Sequence, residues 1–189
     1  MISYNNKFIF IHINKTAGSS IESSLKDYGL KKIPVNKSDF PHSQHFNYSD
    51  YEKYLGEDLL EYHKFTVVRN PWDRVVSYFF NGAITNGLNF NEWIIDRYKN
   101  YNFVDYDRMY QPCISWLDLK NLNQINILKF ENLDKDFKNL CNILNINVSL
   151  KKINTNNSRT KYQDYYNEQT KNIIFNFFKE DIKYFNYEF

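Results

Sequence analysis

Short unbroken apolar runs alternate along this chain with stretches in which apolar residues recur every three to four positions. Residues 8–13, 64–68 and 125–130 are the runs, rich in aromatic and β-branched side chains, and each predicts a buried strand. Residues 30–35 predict a further one. Helical spacing fills the intervals. Residues 20–28 place Ile21 and Leu25 four apart, with Gly29 as the closing glycine, and residues 51–62 read as a charged surface helix. A helix from Pro71 has Val75, Val76, Phe79 and Phe80 as its buried face. Residues 90–98 put Phe90, Trp93, Ile94 and Tyr98 on one side, 134–144 form another helix, and 167–178 carry a stripe of Ile173, Ile174, Phe177 and Phe178. Strands alternating with helices predict an α/β fold, a three-layer arrangement with a mostly parallel sheet flanked by helices. No internal repeat or low-complexity linker breaks the pattern, so residues 1–189 are expected to form a single domain.

Two strand-to-helix junctions concentrate the polar chemistry. The first carries Asn14, Lys15, Thr16, Ala17, Gly18, Ser19 and Ser20. Backbone N–H groups at a helix start, the positive end of the helix dipole, an ammonium and three hydroxyls suit a phosphate. An ordinary turn capped by Ser19 or Ser20 fits the same residues. The second junction is Arg69-Asn70-Pro71-Trp72-Asp73, with Asn70 as N-cap, Pro71 in the first turn and Asp73 at the third helical position. Arg69 stands at the carboxyl end of a strand, where open α/β sheets bind ligands. A structural salt bridge with Asp73 is the other reading of Arg69.

Composition narrows the classes. A net charge of +2 over 189 residues gives no support for wholesale binding to nucleic acid or an anionic membrane. Cys113 and Cys141 have no metal-ligand spacing and read as reduced thiols. With no signal-peptide pattern and no apolar run of membrane-spanning length, no transmembrane segment and a cytoplasmic location are expected. Sixteen Tyr and 16 Phe predict a core filled by rings.

Taken together, residues 12–20 (His-Ile-Asn-Lys-Thr-Ala-Gly-Ser-Ser) and 65–77 (Phe-Thr-Val-Val-Arg-Asn-Pro-Trp-Asp-Arg-Val-Val-Ser) resemble the two cofactor motifs of the carbohydrate sulfotransferase family. Those enzymes use 3′-phosphoadenosine-5′-phosphosulfate (PAPS). The likeness continues at Phe130-Glu131-Asn132-Leu133 and at residues 181–189. It implies a P-loop-like sulfotransferase fold in which Lys15, Thr16, Ala17, Gly18, Ser19 and Ser20 cradle the 5′-phosphosulfate. By the same resemblance Arg69 and Ser77 hold the 3′-phosphate, and Asn157, Ser158 and Arg159 close over the nucleotide. Asn14 is a departure, since the family commonly has proline before the lysine.

The implied reaction is in-line transfer of a sulfuryl group to a carbohydrate or polysaccharide hydroxyl, with PAP as product and no metal. Lys15 would stabilise charge on the bridging oxygen, and a histidine would take the acceptor proton. His45 is the preferred base and His42 the alternative. His12 reads as a core histidine, and Ser77 also fits a bond to its own helix. Residues 98–116, rich in tyrosine, are the candidate platform for sugar rings, with Arg108 for an acidic sugar. A non-catalytic PAP-binding sensor and a P-loop-like small-molecule kinase are the competing functions, the kinase lacking GxxxxGK[ST].

Overall fold

The computed structural model describes residues 1–30, 33–36, 45–81, 83–100, 110–153 and 160–189. Its strands are β1 (Ile2–Ser3), β2 (Phe8–Ile11), β3 (His63–Val68) and β4 (Ile125–Lys129). Seven α-helices lie among the described residues. They are α1 (Gly18–Ser24), α2 (Tyr48–Leu55), α3 (Pro71–Asn81), α4 (Phe90–Ile94), α5 (Leu133–Ile143), α6 (Glu168–Phe177) and α7 (Lys179–Phe185). The fold is α/β, and the chain divides into two compact units. One comprises Met1–Val68 and Ser115–Thr155, the other Arg69–Ile114 and Asn156–Phe189.

The first unit holds the sheet, ordered β1-β2-β3-β4. β1 runs antiparallel to β2, while β2–β3 and β3–β4 are parallel, with Phe10 opposite Phe65 and Val67 opposite Leu128. Every residue of β2 is buried, which is why its sequence reads as a continuous apolar run rather than an alternation. Phe8, Phe10, Phe65, Val67 and Leu128 pack against Ile21 and Leu25 after the first loop and against Leu133, Phe137 and Leu140 of α5. The Phe10 and Phe65 rings stack at 5.0 Å.

The element boundaries differ from the sequence pattern in instructive places. α1 spans Gly18–Ser24 and its C-cap is Leu25, so Gly29 does not close it. Gly29 is instead required by close approach: a Cβ there would fall 2.8 Å from the Ile2 carbonyl oxygen, beside the bridge in which Ile2 and Leu30 exchange two hydrogen bonds. That bridge is all the strand character found near Leu30 among the described residues. α2 starts three residues earlier than its apolar spacing indicated, because Asn47 and Asp50 form a reciprocal capping box. It gives way at Gly56 to a 3₁₀ turn, Gly56–Glu61.

The second unit is helical and its core is aromatic. Trp72, Val75, Val76 and Tyr78 of α3 cluster with Phe90, Trp93 and Ile94, with Tyr98 and Tyr110, and with Ile174 and Phe178. Phe80 is 47% exposed, and Trp72 and Tyr78 fill the face assigned to it. α4 continues into a π-helical turn, Ile95–Lys99, that keeps Tyr98 in the cluster. Asp181 of α7 is buried and accepts the backbone N–H groups of Cys113 at 2.6 Å and Ile114 at 2.9 Å. Arg74, equally buried, donates to the Gln111 carbonyl at 2.8 Å. Cys113 and Cys141 are free, buried thiols, and burial pushes Cys113 up to about 12, so it is no nucleophile.

Candidate active site

Within the first unit the chain leaves β2 at Ile11 and reaches α1 through a loop with two left-handed residues, Lys15 (φ 64°) and Ala17 (φ 71°). Neither is glycine, so each conformation costs about 1 kcal/mol and persists because the surroundings fix it. Ala17 is the N-cap of α1 and supplies no side-chain cap. The Ser20 and Ile21 N–H groups donate to the Ala17 carbonyl at 2.9 and 3.2 Å, and no cap side chain takes those of Gly18 and Ser19.

The hydroxyls of the loop divide by what they touch. Thr16 is fully buried and donates to the Ile13 carbonyl at 2.8 Å, which leaves its backbone N–H as the group able to meet a ligand. Ser20 is buried against Ile153, accepting its N–H at 3.1 Å. Ser24 accepts the N–H of Lys151 at 2.8 Å. These two serines stitch the chain entering residues 154–159 to α1. Ser19 is exposed, and Asn14 and Lys15 are half-buried at the loop's outer side.

Behind the loop lies a group of ionisable side chains. His12 Nδ1 is 2.9 Å from Glu22 Oε1, and the two side chains are only 12% and 3% exposed. The His12 ring stacks on Phe10 and lies against Gly18, where a Cβ would come within 1.8 Å of Nε2. Gly18 is thus fixed by the imidazole it supports. His45 meets His12 edge-on at 4.8 Å between ring centroids, and its Nδ1 lies 3.4 Å from the His12 carbonyl oxygen. Trp116 packs edge-on against the other side of His45 at 6.4 Å. Burial, reinforced by the charge of His12, pushes His45 down to about 4.

In the second unit Arg69 precedes α3. Its Nε donates to Asp73 at 2.7 Å, and both side chains are largely buried. Asn70 caps the helix by accepting the Trp72 N–H at 3.1 Å. Asp73 and Ser77 are four apart in α3 and so share one face, which Arg69 meets through Asp73, and Ser77 is half-buried. His42, Arg108, Asn157, Ser158 and Arg159 lie outside the described residues.

A family model described as the sulfotransferase family matches residues 1–188. The chain belongs to the sulfotransferase family. Neither the curated proteins nor the solved structures contain a match to it. For a sulfotransferase the anion to be held is a sulfuryl donor, and the donor set of the first loop fits one: an ammonium, an exposed hydroxyl and backbone N–H groups. Among the described residues no group of three or more His, Cys, Asp or Glu is placed to hold a metal.

The pairing of His12 with Glu22 escaped the sequence pattern, which put His12 in the core by strand alternation. Glu22 sits beside Ile21 on a short helix, and nothing in its neighbours marks it as buried. Trp116, Tyr98 and Tyr110 belong to the stretch 98–116 read as a candidate platform for sugar rings. The three are 1%, 9% and 6% exposed, so their faces are spent on packing.

Proposed function

We propose that this sulfotransferase moves the sulfuryl group of PAPS onto a hydroxyl of a carbohydrate acceptor. The observation that carries the reading is the loop between β2 and α1, with left-handed Lys15 and Ala17, in a chain whose family match spans residues 1–188. The acceptor oxygen bonds to sulfur, the bond from sulfur to the phosphate's bridging oxygen breaks, and PAP leaves with the electron pair. Lys15 meets the negative charge that grows on that bridging oxygen, so it stabilises the transition state more than the ground state. Arg69 and Ser77 keep the role their motif gives them, toward the 3′-phosphate. His45 takes the acceptor proton. At about 4 it is a weak base, yet it stays neutral and able to accept throughout pH 5–8.

Labelled PAPS incubated with a panel of glycans tests this, alongside calorimetry with PAP and with ATP in EDTA or magnesium. Transfer to at least one acceptor, and PAP binding that survives EDTA, are expected. Lys15→Ala should lose transfer and bind PAP less well, and full transfer by that variant removes the role given to Lys15. The weak basicity of His45 favours one second reading, a PAP sensor without turnover. Tight PAP binding with no transfer to any acceptor would establish it, whereas magnesium-dependent ATP binding would point to a kinase.

A further inference from the structure

The His12–Glu22 pair supplies no donor to the loop, and an apolar pair of the same volume would fill its place without burying two ionisable groups. Its geometry is specific. Glu22 accepts from Nδ1 of His12 at 2.9 Å, Phe10 stacks on the ring at 15° between planes, and Gly18 leaves room at Nε2. The imidazole so held has one further neighbour of chemical interest. His45 rests edge-on against it, with Nδ1 toward the His12 backbone carbonyl. A proton on Nδ1 of His45, shared with that carbonyl, makes Nε2 the basic nitrogen.

We propose that Glu22 and His12 are positioning residues for His45: the carboxylate locks the His12 ring, and the locked ring holds the His45 imidazole in the orientation and tautomer that present Nε2 to the acceptor hydroxyl. The proposal rests on the sulfotransferase reading. Among the described residues His12, Glu22 and the α-amino group of Met1 act on His45. His12 and the amino group oppose a proton on His45, and Glu22 favours one. Removing His12 removes its charge and lets His45 titrate at higher pH, and the tautomer ratio of His45 is the readout that a purely structural role would not move.

The test uses the full chain with ¹⁵N-labelled histidines, titrated by NMR as wild type, His12→Asn and Glu22→Gln, with sulfuryl-transfer kinetics on the same proteins. In wild type, His45 is expected to titrate near pH 4 with the proton on Nδ1 in its neutral form. In His12→Asn the midpoint should rise by about one unit and the tautomers should mix. In Glu22→Gln the His12 ring should lose its single tautomer. Both variants should lower kcat by roughly 10–100-fold, a larger factor than any change in KM for PAPS. An unchanged His45 midpoint and tautomer in folded His12→Asn would overturn the proposal. Should that variant fail to fold, Glu22→Gln decides, and a normal His12 tautomer with normal kcat is fatal. A wild-type protein that transfers no sulfuryl group sinks the sulfotransferase reading alone, because the NMR titration still reports whether His12 governs His45.

Discussion

The chain passes from strand to helix twice with candidate site residues at the junction, and the two junctions are built differently. After β3, Asn70 caps the helix through its side chain, Pro71 occupies the first turn, Arg69 pairs with Asp73, and an 11-residue helix follows. Each preference is local, and each was visible in the order of residues. After β2, Ala17 caps nothing, two non-glycine residues are left-handed, and the helix is seven residues long. That junction gives up local stability and keeps backbone donors available. The difference separates a turn that carries its own caps, with added bonds from Asn70 to Tyr162 and Glu188, from one without a cap side chain that leans on His12 beneath Gly18 and on the segment at Ile153.

Substitutions can break that contrast at graded cost. The largest effect is expected from Lys15→Ala, a loss of about 10²–10³-fold in sulfuryl transfer, measured with labelled donor, in a protein that still melts normally. Gly18→Ala drives a methyl into the His12 ring and should cost about 1–3 kcal/mol in denaturant unfolding, as overpacking does. At the other junction Asn70→Ala removes a cap together with the bonds to the Tyr162 hydroxyl and the Glu188 carbonyl, and should cost about 1–3 kcal/mol. Ala17→Gly sharpens the comparison from the opposite side. It should raise stability or leave it unchanged, since it relieves about 1 kcal/mol of left-handed strain. Destabilisation by Ala17→Gly would mean that the lost packing of the methyl on the sheet core and the freedom of glycine in the unfolded chain outweigh that relief.

The smallest effect is a dependence on pH. With His45 lowered from 6.5 to about 4, the unfolded chain binds the extra proton between those values. Its contribution is fully present above pH 6.5 and is lost as pH falls toward 4. Thermal melts across that range should therefore decline less steeply for His45→Gln than for wild type. His63, lowered by burial, and the α-amino group of Met1, lowered to about 5, add slopes of the same sign that remain in the variant.

Much of the fold was legible because its signals are short in range. Apolar runs gave β2, β3 and β4, and periodicity gave α3, α5 and α6 with their buried stripes. Capping boxes at Asn47, Asn89 and Asn167 carry the helix starts, and the first was readable from Asp50 three residues on. α7 was missed because Phe178 alone separates it from α6, so the periodicity runs straight through. The motifs named the candidate residues. The atoms that each residue presents were not legible in them.

By itself, the order of residues determined the α/β class, the two junctions and the kinship to sulfotransferases, because strand and helix periods and caps are decided within a few positions. Only the tertiary structure decided that Thr16 and Ser20 turn their hydroxyls to the protein, that Gly29 serves an approach to Ile2, and that Glu22 holds His12 against His45. Those outcomes depend on which groups meet after the chain has folded back on itself, and burial then sets their hydrogen bonds and proton affinities.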